Sequence, residues 1–534
     1  MLEGLMQDDH PLTLQHALWR MRHMNAAQEV VTLTEDGYER ATYGEIAERV
    51  DRLCAALKEL GVQPGDRVAT FAWNTQRHLE LYLAVPCMGA VLHTLNIRLF
   101  PEQLTYIVNH AEDKLLFVDE SLVDALAPLE ETFETVERRI VLGDEYEELL
   151  AAQEPRFDYP ELDERSAAGL CYTSGTTGNP KGVMYSHRSN ILHSLACSLP
   201  DAAAISRTDN ILPVVPMFHA NAWGYPYAAA LLGAKLTMPS RFITAERLTK
   251  AFADEKVTIT CGVPTVWLDV LHYLDEHEEA DVSSLRMAMC GGAAVPASLI
   301  QAFEERHDVP VIQGWGMTET NPVASVSRPP EELESEERWT ARARQGRLQP
   351  LLEARLISED GEVVAWDGES TGELEVRGPW VARAYYEDPE GADKFHDGWL
   401  RTGDIASLDD EGSIRVSDRA KDVIKSGGEW ISSVDLENAI MAHPAVREAA
   451  VIGMPHERWT ERPLACVVVG EGKEVTPDEL REHLTPLVAK WWLPDEVAFV
   501  DEIPKTSVGK FDKKALRARL ADGELDRHAV GAEA

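Results

Sequence analysis

Long apolar runs, paired cysteines and lysine are all scarce in this chain, and each scarcity removes a class of protein. No apolar stretch approaches the roughly 18 to 20 residues that span a bilayer. The richest, Ala228 to Met238, is interrupted by Lys235, so integral membrane association is not expected. The first residues, MLEGLMQDDHPLTLQ, are acidic and lack a basic segment leading into an apolar one, so no signal peptide is read. The seven cysteines are dispersed, with no CxxC pair and no metal-type spacing. That pattern points away from a disulfide framework and towards reduced thiols in a cytoplasmic protein. Each cysteine reads as a small core residue. Only 15 of the 51 basic residues are lysine, against 91 acidic ones, for a net charge of −40. Such a surface disfavours nucleic acid and anionic membranes as partners. Any anionic ligand must be held by local positive groups. An acid-rich, lysine-poor balance is that of a protein from a salt-loaded cytosol, where screening shortens self-repulsion. A high-GC genome with an acidic proteome produces the same balance. Maximum stability at low KCl in a melting series would exclude the halophile reading.

What remains is a soluble globular composition, 44% apolar, over 534 residues. That length exceeds a single growing core, so two or more domains are expected. Thr42 to Gly61 carries Ile46, Val50, Leu53, Leu57 and Leu60 at helical spacing. Thr42 and Glu45 make a capping-box signature, and Gly61 is a stop ahead of Pro64-Gly65. Arg67 to Trp73 then reads as a strand, helix–strand units follow near 78–95 and 244–261, and 285–290 reads as a strand before a glycine turn. This alternation predicts an α/β architecture, a large N-terminal domain of mixed or parallel sheets flanked by helices. The charge-rich stretch Arg328 to Arg347 reads as a solvated helix or loop. From Leu351 short strands bounded by Gly and Asp turns predict a small β subdomain. After Asp418 a compact α+β unit of just over 100 residues is expected, with helices at 433–442 and 476–487 and strands at 446–452 and 465–469. The predicted domains are therefore 1–417 and 418–534.

The chemistry-bearing segment is Tyr172-Thr-Ser-Gly-Thr-Thr-Gly-Asn-Pro-Lys181-Gly182. Glycine lets backbone approach a ligand closely, and successive N–H groups and hydroxyls cradle phosphate oxygens. Lys181 adds positive charge. The Walker pattern is not met, because Gly182 rather than Ser or Thr follows the lysine. By itself such a loop is equally a flexible surface loop.

Five further segments change its meaning. They are Gln313-Gly-Trp-Gly-Met-Thr318-Glu319-Thr, Thr402-Gly-Asp404, Asp418-Arg419-Ala-Lys421-Asp422, Lys425-Ser-Gly-Gly428-Glu-Trp430 and Pro504-Lys-Thr-Ser-Val-Gly-Lys510. In this order, along nearly the whole chain, they resemble the adenylate-forming superfamily of acyl-CoA synthetases, peptide-synthetase adenylation domains and beetle luciferases. The resemblance implies ATP, Mg²⁺ and CoA as cofactors or co-substrates. It implies a phosphate-binding set Thr173, Ser174, Gly175, Thr176, Thr177, Gly178 and Lys181. It implies a nucleotide-binding set of Gly291, Gly292, Ala293, Gln313, Gly314, Trp315, Gly316, Met317 and Thr318, with the glycine turn leaving room for adenine. Glu319 would hold Mg²⁺ with Thr173 as a second contact, since Mg²⁺ takes hard oxygens and keeps several waters. Asp404, reinforced by Arg419, would accept from both ribose hydroxyls. Lys510 would be the catalytic lysine of adenylation, bridging carboxylate and α-phosphate. Asp418 would be a hinge about which a mobile small domain turns, bringing Gly427 and Gly428 to the CoA thiol. Lys421 and Lys425 would contact phosphate or close the domains, and Trp430 would pack on or gate the adenine.

The acid is indicated by Pro216-Met-Phe-His219-Ala-Asn-Ala-Trp223-Gly, which resembles the acyl channel of medium- and long-chain fatty-acyl-CoA synthetases, with His219 and Trp223 as gates. His219 is equally read as a satisfied core histidine. Trp315 is expected to shorten the channel, so short or substituted acids, methylthio-alkanoates among them, stay open. No Asp near Met217 is placed to grip an α-amine, and no carrier domain follows Lys510. An acyl-AMP ligase serving another acceptor and a catalytically silent homologue are the competing readings. A homodimer is implied by the family alone.

Overall fold

The computed structural model describes residues 4–173, 179–329, 333, 335–419, 421–426, 429–456, 458–506 and 511–530, with backbone only at 335, 336, 390, 429 and 430. The first expected helix forms as Tyr43–Glu59. Thr42 accepts from the Glu45 amide while the Glu45 carboxylate takes the Thr42 amide, closing the capping box. Gly61, at φ +83°, follows the helix end. Ile46, Val50, Leu53 and Leu57 are fully buried, which is what their spacing requires.

Three sheets organise the chain. The first runs Arg138–Leu142, Asp113–Asp119, Arg67–Phe71, Val91–Thr94, Ala167–Tyr172 and Gly182–Ser186. Its pairings are parallel except the last, where Gly182–Ser186 folds back antiparallel on Ala167–Tyr172. The residues between those two strands are the phosphate-type loop. The second sheet has a parallel centre built from Val311–Gly316, Met287–Gly291, Ile259–Gly262, Asn210–Pro213, Lys235–Met238 and Glu29–Leu33. A third sheet contains Ile424–Ser426, Glu429–Ile431, Val446–His456, Thr460–Val469, Glu496–Phe499 and Arg527–Ala529, with the helices Ser433–Met441 and Pro477–Leu484.

Two expectations change. The strands after Leu351 are not a separate sheet. Gly346–Leu348 joins Ser413–Arg419 to Val323–Val326, so Glu353–Ile357, Gly372–Arg377, Trp399–Leu408 and Ser413–Arg419 extend the second sheet antiparallel. That continuity carries Asp404 and Arg419 towards the glycine-rich strand Val311–Gly316. The charged stretch 328–347 is not simply solvated. Its helix, Ser335–Arg342, is docked: Arg338 and Arg342 converge on Glu304, and Arg342, buried, donates to the Val311 carbonyl at 3.1 Å. The arginines meet a half-buried carboxylate on another helix, which one-dimensional charge patterning does not reveal. All seven cysteines are buried and unpaired. No helix among the described residues is long and apolar enough to cross a membrane.

Candidate active site

Ligand crevices in open α/β sheets lie beyond the carboxyl ends of the parallel strands, and a cleft lies there in this fold. Its volume is about 590 Å³, within the usual range for small-molecule sites. The ends of Ala167–Tyr172 and Val311–Gly316 deliver Thr173, Gly314, Trp315, Gly316, Met317, Thr318 and Glu319 to its wall. Lys181, His219, Trp223, Gly292, Arg419 and Lys421 line it too. Thr506 and Phe511, which flank the expected lysine loop, complete the rim. Ser174, Gly175, Thr176, Thr177, Gly178, Gly427, Gly428, Lys510 and the Trp430 side chain lie outside the described residues.

The neck of the phosphate-type loop is closed by two hydrogen bonds. The Thr173 amide donates to the Lys181 carbonyl at 2.9 Å, and the Lys181 amide donates to Thr173 Oγ1 at 3.1 Å. Lys181 is less exposed a charge than the sequence implied: its ammonium lies 2.8 Å from Asp388 and 5.1 Å over the Tyr385 ring.

Asp404 is buried and does not itself line the cleft. Its Oδ1 accepts from Arg419 Nε at 2.7 Å and its Oδ2 from Trp315 Nε1 at 2.9 Å. Direct pairing of Asp404 with Arg419 across two adjacent strands sets the first contact. The second adds to the expectation for Trp315: its indole N–H is committed to the carboxylate, which fixes the ring in the cleft wall.

Glu319 sits in the short 3-10 turn Thr318–Thr320, just before left-handed Asn321 and a cis Asn321–Pro322 bond. It is buried, and Tyr385 Oη donates to its Oε1 at 2.6 Å. Burial, followed by the adjacent Glu319 charge, raises the Tyr385 pKa well above that of an ordinary phenol. Tyr385 stands outside the sequence motifs; its signal there is an aromatic pair, Tyr385-Tyr386, leading into an Asp388-Pro389 turn.

The glycine turn also reads differently in three dimensions. A Cβ on Gly291 would stand 2.5 Å from the Gly314 carbonyl and 3.3 Å from Trp223. Gly291 is therefore required by its neighbouring strand and by Trp223. Gly292, at φ +82°, reaches the cleft, whereas Ala293 is exposed and Gln313 is buried. Lys425 is not brought to the cleft; it is exposed and pairs with Glu359 at 2.9 Å. Asp418 is buried, accepting from the Ser433 amide at 2.7 Å, and burial raises its pKa. Burial lowers that of Lys421.

Beside His219 the chain makes five consecutive left-handed residues, Ala220 to Gly224, four of them not glycine. Each such residue costs roughly 1–2 kcal/mol, so neighbours must hold the turn. Tyr82 Oη donates to Asn221 Oδ1 at 3.2 Å, and Gly224 packs so close to His193 that a Cβ would lie 2.7 Å from the imidazole. His193 Nε2 in turn accepts from the Val323 amide at 3.1 Å, which requires a neutral ring. Burial pushes its pKa down to about 3, and those of His78 and His187 to about 4. A histidine depressed in the folded state binds fewer protons there than when unfolded. Its stabilisation is complete above the unfolded value of about 6.5 and is lost as pH falls towards 4. Urea unfolding is therefore expected to show several kcal/mol less stability at pH 4.5 than at pH 7, with a shallower slope in His193→Gln. A flat profile over that window would contradict the buried neutral histidines.

Comparison with known proteins fits this geometry. Residues 20–386 match the model of the AMP-binding enzyme, and residues 435–510 that of the AMP-binding enzyme C-terminal domain. The chain belongs to the AMP-binding enzyme family. A long-chain-fatty-acid–CoA ligase of Thermus thermophilus is 48% identical over 95% of this chain and 96% of the relative. A 3-methylmercaptopropionyl-CoA ligase of Ruegeria pomeroyi is 43% identical over 94% and 96%. A medium-chain-fatty-acid–CoA ligase of Ectopseudomonas oleovorans is 41% identical over 93% and 94%. Among solved structures, ATP-bound MatB from Rhodopseudomonas palustris superposes with a TM-score of 0.84 at 26% identity, covering 96% of this chain and 99% of that one. The anthranilate CoA ligase AuaEII with anthranoyl-AMP shares the fold at a TM-score of 0.88 and 24% identity, covering 96% and 99%. The AMP-binding enzyme fold, a large mixed sheet flanked by helices with a C-terminal domain, is thus the fold of this chain.

Proposed function

We propose that this AMP-binding enzyme activates a medium- or long-chain fatty acid with ATP as an acyl-adenylate and transfers the acyl group to CoA, releasing AMP and pyrophosphate. The observation that carries the reading is the convergence on one cleft of Thr173, Lys181, Glu319, and Trp315 with its Asp404–Arg419 partners, rimmed by Thr506 and Phe511. In this reading the loop after Thr173 takes the β- and γ-phosphates and Asp404 the ribose. Lys510 orients the carboxylate against the α-phosphate and neutralises charge on the departing pyrophosphate oxygens. The site suits Mg²⁺: Glu319 and Thr173 put a carboxylate and a hydroxyl oxygen on the same cleft, and phosphate oxygens and waters would supply its remaining ligands. The metal would neutralise phosphate charge. His219 and Trp223 would bound the acyl group, each buried methylene adding roughly 0.8 kcal/mol. Thiolate attack on acyl-AMP needs no protein nucleophile.

A shorter, sulfur-containing acid is the second reading. It is favoured by the Ruegeria relatives and by the bulk of Trp223 and Trp315 in the cleft. AMP release measured with a C2 to C18 acid panel, 3-methylthiopropionate included, with and without CoA, decides between them. AMP release without any need for CoA would overturn the thioester step, and none with any acid would overturn the ligase reading.

We further propose a domain boundary at 417/418, with residues 418–534 turning about Asp418 between half-reactions. Asp418→Pro restricts that backbone and is expected to slow thioester formation several-fold more than pyrophosphate exchange. Equal rates of CoA turnover in variant and wild type would count against rotation. A cytoplasmic, salt-adapted protein working as a homodimer completes the proposal; KCl-dependent melting and light scattering test its last two parts.

A further inference from the structure

Two parts of the cleft that are 138 residues apart in sequence, Lys181 and Glu319, are joined by a third segment, 382–388. The Ala382 amide donates to the Glu319 carbonyl at 2.7 Å, and the Tyr386 amide donates to the Gly182 carbonyl at 2.8 Å. Between these two backbone anchors stands Tyr385, 9% exposed. Its ring lies in a small apolar cluster with Cys171, Val183 and Tyr185 and packs edge-on to Phe395 at 5.1 Å. Its hydroxyl reaches Glu319 Oε1 at 2.6 Å while the Lys181 ammonium rests over the ring at 5.1 Å, tethered to Asp388. Gly391 passes so close that a Cβ there would lie 2.5 Å from the Tyr385 ring. The ring therefore has little freedom, and the phenol meets one particular oxygen of the carboxylate.

We propose that Tyr385 is a positioning residue that commits Glu319 to one-oxygen metal ligation and thereby selects Mg²⁺ over larger divalent ions. This rests on the reading of Glu319 as the metal carboxylate. A carboxylate oxygen already holding a phenol hydrogen bond is a poor partner in a two-oxygen chelate. Mg²⁺ demands near-octahedral geometry at about 2.0–2.1 Å and is content with a single carboxylate oxygen. Ca²⁺, with 6–8 ligands at about 2.3–2.6 Å, gains from two-oxygen ligation. Groups that orient a metal ligand in this way change metal affinity by roughly 10- to 100-fold when removed.

The test is Tyr385→Phe, which deletes one oxygen and keeps the ring against Phe395. Mn²⁺ binding to enzyme saturated with α,β-methylene-ATP is followed by electron paramagnetic resonance, and Mg²⁺ and Ca²⁺ affinities are obtained by competition, without turnover. The expected result is a roughly tenfold weaker Mg²⁺ affinity with Ca²⁺ weakened less or strengthened, so that the Mg²⁺ to Ca²⁺ ratio falls. Asp388→Asn loosens Lys181 but leaves the phenol–carboxylate bond, and its ratio is expected to match wild type. Glu319→Asp withdraws the carboxylate from the phenol and is expected to lower the ratio as Tyr385→Phe does, which keeps the test open if that variant does not fold. An unchanged ratio in Tyr385→Phe, or in Glu319→Asp, overturns the assignment of Tyr385. If wild type binds no Mn²⁺ with the nucleotide, the metal reading of Glu319 fails first.

Discussion

Replacing Lys510 by alanine is expected to lower acid-dependent pyrophosphate exchange by about 10²- to 10³-fold, the usual cost of removing one group aimed at developing charge. The thioester step from supplied acyl-AMP should lose far less, because the α-phosphate has already been attacked. Negative charge accumulates on the α-phosphate and pyrophosphate oxygens only during adenylation, and only then does an ammonium bridging acid and phosphate stabilise the transition state more than the ground state. Thr506 and Phe511, on either side of the segment carrying Lys510, lie at the cleft rim. Two measurements on one preparation decide it: exchange of labelled pyrophosphate, and thioester formed from synthetic acyl-AMP and CoA. Equal loss in both would remove Lys510 from adenylation.

The second large effect is expected from Asp404→Asn. The buried carboxylate accepts one hydrogen bond on each oxygen from protein, Arg419 Nε at 2.7 Å and Trp315 Nε1 at 2.9 Å, and has lone pairs left for ribose hydroxyls. An amide offers one oxygen and one NH₂, so one of the two protein donors would face another donor. A hydrogen bond from a ribose hydroxyl to a charged carboxylate is worth about 1.5–3 kcal/mol, so at about 1.4 kcal/mol per tenfold its loss raises the KM for ATP by roughly 10- to 100-fold. Discrimination between ATP and 2′-deoxy-ATP should shrink in parallel. Trp315→Phe keeps the ring and loses one donor, so its effect should be the smaller. An unchanged KM for ATP in Asp404→Asn would remove the ribose role.

Helix 43–59 was legible because its cap and its apolar spacing are local: Thr42, Glu45 and the Ile46–Leu57 stripe lie within one element. The continuous second sheet was not legible. Glycine and aspartate turns mark where strands end, whereas the pairing of Gly346–Leu348 with Ser413–Arg419 joins strands 65 or more residues apart. The docked helix Ser335–Arg342 was missed for the same reason: Arg338 and Arg342 answer to Glu304, on a different helix.

The sequence by itself determined the family and the order of its motifs, because those motifs are particular residue types at short fixed spacing. It determined, too, that the phosphate-type loop departs from the Walker pattern, a fact of two adjacent residues. Only the tertiary structure decided how those motifs meet. Trp315, expected to shorten the acyl channel, is also a hydrogen-bond partner of Asp404 89 residues away. Gly291 proved to make room for strand Val311–Gly316 and Trp223. Tyr385, unmarked by any motif, came to stand between Lys181 and Glu319. A hydrogen bond acts over about 3 Å, and which distant residues come within that reach is settled by the packing of whole sheets.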